Sequence, residues 1–293
     1  MKTEFRLLIA DDWEDYALLD SGHGQKLERF GSQTVIRPDP QAFWEPAKPV
    51  ETWRAGARFT ASGEDERGRW EVMTPTTPEA WPMRWNGLQF EARRTPFRHL
   101  GVFQEHSVHW RFAQERIRAA GRPVKVLNLF GYTGLMSLAC AQAGAEVVHL
   151  DASPKSNGYG KAAQELSGLQ DRKIRWIADD AMKFVAREQR RGNCYDAIIL
   201  DPPKFGRGPK NETWRFEEEL PALLDGVKAL LSDDPLFVIL TAYAVRLSYL
   251  ALSQTLEDRL QGFGGVMQRG EMALPQQGSE RLLPTAIYSR WSR

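Results

Sequence analysis

Three aspartates hold the chemistry this sequence offers: Asp151, Asp180 and Asp201, each just past a short apolar run. Ahead of Asp151 stands the loop N-L-F-G-Y-T-G, framed by Gly131 and Gly134. Glycines let the backbone approach a ligand and adopt φ > 0. The loop hands over to a helix N-terminus, which favours electron-rich groups. A carboxylate at the tip of the following strand suits a ribose, whose two hydroxyls it can accept. Asp151 lies 17 residues past Gly134, near the spacing of about 20 expected in nucleotide-binding units. The loop is not G-x-G-x-x-G, so a dinucleotide is not the first expectation. The plain alternative is a βαβ unit whose glycines only turn the chain.

The elements that must position these acids are legible from periodicity. The run 124–129 reads as a buried strand bounded by Pro123 and the glycine loop, 135–143 as a helix closed by Gly144, and 146–150 as a second strand. Ser153-Pro154 starts a helix to about residue 167, with Ser as N-cap and Pro at the first helical position. Further strands are expected at 174–178, 196–200, 236–241, 265–273 and 283–291. Helices are expected at 181–190, 217–231 and 248–260, and a loop after Asp201. Such alternation predicts a Rossmann-like, doubly wound α/β domain. Its seven-stranded, mostly parallel sheet would carry helices on both faces. Ligands then bind outside the carboxyl ends of the strands, where all three acids fall.

Residues 1–95 differ in texture. They hold six of the ten tryptophans, with Trp110 just beyond, and short alternating stretches between Pro and Gly turns. They read as a small, mostly antiparallel β-rich module, in which Gln25 to Phe30 makes a short helical turn. Substrate recognition is a possible task for this module, but rings on short strands more often fill a core than stack on bases. Residues 96–293 form the catalytic domain, entered through a helix at 108–120. His99, His106 and His109 lack the spacing of a compact metal site, and no metal is expected.

The length of 293 residues allows one large domain or two modest ones. No apolar run is long enough to span a bilayer, and the N-terminus does not read as a signal peptide. Cys140 and Cys194 make neither a disulfide framework nor a zinc site, so a reducing, cytoplasmic compartment is the simple reading. Net charge is +1, so any nucleic-acid contact must be local. One window offers it: Arg84, Arg93, Arg94, Arg98, Arg111, Arg116, Arg118 and Arg122 face only Glu91, Glu105 and Glu115. The other reading of that window is a solvated surface.

In order, N-L-F-G-Y-T-G, H-L-D-A-S, A-D-D-A-M and I-L-D-P-P-K-F resemble the class I S-adenosylmethionine-dependent methyltransferases. Within them the chain resembles the branch that includes the bacterial large-subunit rRNA methyltransferases. L-L-D-S-G-H-G-Q-K-L-E-R-F-G is similar to a segment preceding the catalytic domain in that branch. The resemblance implies S-adenosylmethionine as cofactor. Asp151 would accept from its ribose, with Ala152 and Ser153 beside it, and Asp180 from the adenine amino group, with Ala181 supplying a backbone N–H. Asp179 is the rival for Asp180's role. Asn128, Phe130, Gly131, Tyr132, Thr133 and Gly134 would line the loop under the methionine part, and Phe103 and Gln104 would contact the methionine end. Where many relatives carry an Asn near the end of the second helix, this chain has Ala163.

Asp201, Pro202, Pro203 and Lys204 would form the catalytic turn. A similar D/N-P-P-aromatic turn in amino-group methyltransferases holds an exocyclic amine and stacks its base. Here Lys204 fills the aromatic slot, with Phe205 one place on, so Lys204 would contact phosphate or orient Asp201. Relatives that methylate cytosine carbon 5 use a cysteine by this turn or after the fifth strand. This chain has D-P-P-K and L-T-A-Y-A there. The resemblance thus implies methylation of RNA, and within it rRNA, at nitrogen or oxygen. A small-molecule or protein methyltransferase, or a catalytically silent RNA-assembly factor, are the alternatives. The sequence does not give the oligomeric state.

Overall fold

The computed structural model describes residues 1–63, 67–243 and 245–293. Two short strands open the chain, β1 (Lys2–Phe5) and β2 (Leu8–Ile9). Next come β3 (Tyr16–Gly22), β4 (Gln25–Phe30), β5 (Gln33–Pro38), β6 (Ala57–Ala61), β7 (Gly68–Val72), β8 (Ala80–Trp85) and β9 (Leu88–Arg93). Helices and strands then alternate: α1 (Ser107–Ala119), β10 (Lys125–Leu129), α2 (Leu135–Gln142), β11 (Glu146–Asp151), α3 (Pro154–Leu166), β12 (Ile174–Ala178), α4 (Ala181–Arg190) and β13 (Ala197–Leu200). A hairpin of β14 (Phe205–Arg207) and β15 (Thr213–Arg215) interrupts them, followed by α5 (Phe216–Ala229), β16 (Phe237–Ala242), α6 (Tyr249–Leu260), β17 (Val266–Pro275) and β18 (Leu282–Ser292).

Packing divides the chain into two units. Met1–Leu8, Val108–Met272 and Ala286–Arg293 make the first; Ile9–Ser107 and Ala273–Thr285 make the second. The change of sequence texture near residue 95 lies inside the second unit.

The first unit is built on a sheet of order β1-β17-β18-β16-β13-β10-β11-β12, with β2 also paired to β17. The seven expected strands are all there. β1 and β2 extend the sheet to nine, because Lys2 to Phe5 pair in parallel register with Val266 to Arg269. Four residues of main-chain pairing leave no periodic signature, which is why these strands escape a sequence reading. β10, β11, β12, β13 and β16 run parallel, and β18 runs antiparallel to β16. The central strands are apolar on both faces: Leu127, Leu129, Ile198, Leu200, Val238 and Leu240 are buried with Phe184, Leu223, Leu224, Leu252 and Leu256 of the helices on one side, and the alternate residues Val126, Ile199, Phe237 and Ile239 are buried on the other. This is the pattern of a sheet covered on both sides. The order places β10 between β11 and β13, and this reversal is where ligands bind in open α/β sheets.

In the second unit, β3 to β7 form a sheet in sequence order, antiparallel except for β5 with β6, and β8 and β9 form a separate hairpin. The β8–β9 turn is Asn86-Gly87, both at positive φ, as a two-residue hairpin turn requires. Trp53, Trp81 and Trp85 are buried, in keeping with a core role. Gln25 to Phe30 is strand β4, not a helical turn. Its alternation points Lys26, Glu28 and Phe30 inward, and Glu28 meets Arg37 of β5 through two hydrogen bonds of 2.7 Å. Inward-facing charges disguised the period of two. Residues 273–285 join this unit through Ala10 N to Ala273 O and Gln277 N to Leu18 O. Among the described residues no helix is long and apolar enough to cross a membrane, and no group of His, Cys, Asp or Glu could hold a metal ion.

Candidate active site

After β10 the chain turns over residues 130–134. Phe130 and Tyr132 take left-handed backbone angles (φ 57° and 51°), as does Gly134 (φ 79°). A non-glycine residue held there costs of order 1–3 kcal/mol, so the surroundings must enforce it. Tyr132 N donates to Asp151 Oδ2 (2.8 Å) and Gly131 N to Leu150 O (2.9 Å), so the tip of β11 holds the loop.

A polar cluster supports the loop from beneath. Asn128 Nδ2 donates to Ser137 Oγ, and Ser137 Oγ lies 2.9 Å from His149 Nδ1. The serine oxygen keeps a second lone pair, so the direction of its bond to His149 follows the imidazole tautomer. Burial pushes the His149 pKa down to about 4, against weaker upward pulls from Asn157 and the Tyr132 backbone, so the ring is neutral and can accept at Nδ1. The ring lies 4.5 Å from that of Trp176. A Cβ on Gly131 would come 2.6 Å from His149 Nδ1, and one on Gly134 2.5 Å from the Trp176 ring. These two aromatic rings dictate the two glycines.

Asp151 Oδ1 accepts from Ser153 N (2.8 Å), so each carboxylate oxygen has one backbone donor and a further lone pair. Burial raises its carboxyl above the ordinary range, outweighing the Ser153 and Tyr132 hydrogen bonds that lower it. Ser153 also caps α3 by accepting from Ser156 N, and Ala152 lies half-buried between them. The two rival acids differ. Asp179 pairs with Arg187 at 2.6 Å and accepts from Asp180 N. Asp180 caps α4, with Oδ1 accepting from Lys183 N, and Ala181 is the buried first residue of that helix.

Asp201 stands directly after β13 and is half-buried; Pro202 is buried, and Pro203 and Lys204 are exposed. The expected loop beyond is the β14–β15 hairpin, which places Trp214 against the turn. Its indole N–H donates to Pro203 O at 2.6 Å, and its ring lies 4.9 Å from Phe130. At the hairpin's far end Glu212 pairs with Lys183 of α4 at 2.6 Å.

The structure therefore collects Phe130 to Gly134, Asp151 to Ser153, Asp180, Ala181 and Asp201 to Lys204 at the carboxyl ends of four adjacent strands, β10 to β13. Asn128 sits beneath this group, 2% exposed. Phe103 and Gln104 belong to the second unit. There Gln104 Nε2 is 3.5 Å from both Tyr16 OH and Glu28 Oε1, and the Phe103 ring is 4.5 Å from that of His99. The arginine window is split between the units, with Arg93 paired to Glu91 and Arg122 to Asp196. Sequence reasoning missed Trp214, Lys183 and Glu212. The T-W-R stretch around Trp214 is too short to show a period.

The profile of a family described as S-adenosylmethionine-dependent methyltransferase matches residues 63–236, more than half of the chain. This chain belongs to the S-adenosylmethionine-dependent methyltransferases. A SAM-dependent methyltransferase from Agrobacterium tumefaciens, known by crystal structure, is 44% identical to it with a TM-score of 0.95, covering 99% of this chain and 95% of that one. The ribosomal RNA large subunit methyltransferase K/L of Pseudoalteromonas atlantica is 32% identical over 149 residues, 50% of this chain and 20% of that protein. The corresponding methyltransferase K of Neisseria meningitidis serogroup B is 25% identical over 151 residues, 51% of this chain and 42% of that protein. The chain thus spans less than half the length of these two relatives. The methyl donor of the family, S-adenosylmethionine, suits the donor set: a backbone-braced carboxylate at the tip of β11 has lone pairs left for two hydroxyls.

Proposed function

We propose that this methyltransferase acts on RNA, with rRNA as its substrate class, and methylates a nitrogen or oxygen atom. The observation that carries the proposal is the D-P-P turn at the end of β13, locked by Trp214 to the glycine loop and followed by a basic hairpin. The names of the ribosomal RNA relatives support the same substrate class. The cytoplasm, where rRNA resides, would be its compartment.

S-adenosylmethionine, when bound, would supply a methyl group on a sulfonium, whose sulfur would leave as a neutral thioether as the acceptor attacked the methyl carbon in line. Asp151 would hold the ribose hydroxyls, flanked by Ala152 and Ser153. Asp180 would accept from the adenine amino group, with Ala181 N–H on the ring; the prior engagement of Asp179 by Arg187 favours this assignment. Phe130, Gly131, Tyr132, Thr133 and Gly134 would cradle the methionine part, with Asn128 bracing them. Phe103 and Gln104 are assigned to the methionine end by family resemblance alone. On the acceptor side, Asp201 accepts a hydrogen bond from the nucleophile, and Pro202-Pro203 keep that carboxylate from wandering. Holding the reacting groups collinear supplies much of the rate of such a displacement. Lys204 holds a phosphate or Asp201 itself.

The cysteines favour nitrogen or oxygen over carbon 5. Cys140 is buried in α2 and its thiol is pushed up to about 12 by burial, so it stays protonated. Cys194 precedes β13, at the opposite end of that strand from Asp201. Of the cysteine-free L-T-A-Y-A segment, Ala244 lies outside the described residues. The test is tritium transfer from labelled S-adenosylmethionine to total RNA from a strain lacking the gene, followed by nucleoside analysis. Label in protein or small molecules instead would move the assignment to those substrates.

A further inference from the structure

The β14–β15 hairpin has two unlike faces. Gly206 and Trp214 turn inward; Phe205, Arg207, Thr213 and Arg215 turn outward and are exposed. Phe205 is 53% exposed. The Arg207 guanidinium lies 5.6 Å from the Phe205 ring centroid and covers one face of it. Arg215 is the direct cross-strand partner of Phe205, and Arg207 that of Thr213. From Pro203 to Arg215 the segment carries four cations, Lys204, Arg207, Lys210 and Arg215, and one acid, Glu212; Arg215 is paired with Glu218 of α5 at 3.1 Å. Glu212 is already matched. Lys183 donates to it and pulls its carboxyl down to about 2. Both ends of the hairpin are fixed, by Trp214 on Pro203 and by Glu212 on Lys183.

We infer that this outward face is a platform for one unpaired nucleotide of the RNA, its base stacked on the open face of Phe205 and its flanking phosphate held by Arg207. The inference rests on the RNA reading above and narrows it to single-stranded RNA beside the target. A π-face next to cations is the general recipe for binding single strands without sequence readout. A base within a duplex has both faces covered by its neighbours and cannot use the ring. A hydrophobic protein partner would bury the charges of Lys204, Arg207 and Lys210, for which the hairpin carries no further acid once Glu212 is paired with Lys183.

The test is fluorescence anisotropy with a single-stranded oligoribonucleotide and with the same strand annealed to its complement. The proteins are wild type, Phe205→Ala, Phe205→Leu and Phe205→Trp, with S-adenosylhomocysteine affinity measured on each to verify the fold. The platform predicts tighter binding of the single strand by wild type. Phe205→Ala weakens that binding about tenfold, the scale of one stacked base, and leaves the duplex affinity and the salt slope unchanged. Phe205→Trp restores affinity and Phe205→Leu does not. Equal losses for both RNAs, full rescue by leucine, or silent Phe205 variants in a protein that binds RNA would overturn the platform alone. Binding of neither RNA by wild type at low salt would overturn the RNA reading together with it.

Discussion

The indole N–H of Trp214 donates to the carbonyl of Pro203 at 2.6 Å, while the same ring lies 4.9 Å from Phe130 of the glycine loop. One buried side chain thus ties the turn assigned to the acceptor to the loop assigned to the methyl donor. Trp214→Phe keeps the ring contact and deletes the hydrogen bond. It is expected to lower kcat by about an order of magnitude through loosened alignment, with S-adenosylhomocysteine affinity unchanged by calorimetry. An unaltered kcat would leave the brace without a catalytic part.

Asp151→Ala should weaken cofactor binding by roughly 1.5–3 kcal/mol, the scale of hydrogen bonds to a charged group. The carboxyl is raised by burial, and its protonation removes acceptor capacity for the ribose. In wild type, affinity should therefore begin to fall on acidification at a pH above the ordinary aspartate value, and this limb should vanish in Asp151→Ala. Calorimetry across the acid range measures both, and equal pH profiles would remove the ribose assignment.

His149 gives a pH dependence of stability. Its folded pKa is pushed down to about 4 from an ordinary value of 6.5. Between these values the unfolded chain binds a proton that the folded chain does not, so stability rises with pH through that window and is lost as pH falls. The effect is of order 3 kcal/mol at most. His149→Gln retains a polar side chain and cannot titrate. Urea unfolding between pH 4 and 6.5 should show a flatter pH slope for it than for wild type; parallel slopes would contradict the neutral, buried imidazole.

Changing Arg207 and Lys210 together to Ala should weaken RNA binding and lower the salt slope, by about 0.7 for each phosphate of a single strand that is no longer neutralised. Cofactor affinity should not move, because neither side chain belongs to the glycine loop or the strand-end acids. Titrations at several salt concentrations give both quantities.

The catalytic fold was readable because its strands are apolar on both faces and its helices carry clear end signals, such as Ser153-Pro154 and Gly144. The three acids were readable because each falls at the carboxyl end of a strand. What escaped depends on pairing across long sequence distance. β1 is recognised only by its partner β17, and β4 hides its period of two behind the buried Glu28–Arg37 pair. The β14–β15 hairpin is three residues a side, too short for any periodicity, so Trp214 and the Glu212–Lys183 pair came only from the structure. Asn128, expected under the methionine part, donates from Nδ2 to Ser137 beneath the loop, a contact that no sequence period announces.

RNA methylation at the Asp201 turn is measured most directly as methyl transfer by wild type and Asp201→Ala to rRNA from a strain lacking the gene, with the product nucleoside identified by mass spectrometry. Wild type is expected to methylate one nucleoside on nitrogen or oxygen, and Asp201→Ala to lose at least about a hundredfold in rate with cofactor affinity retained. A methyl group on carbon 5, no transfer to RNA by wild type, or full activity of Asp201→Ala would contradict this assignment.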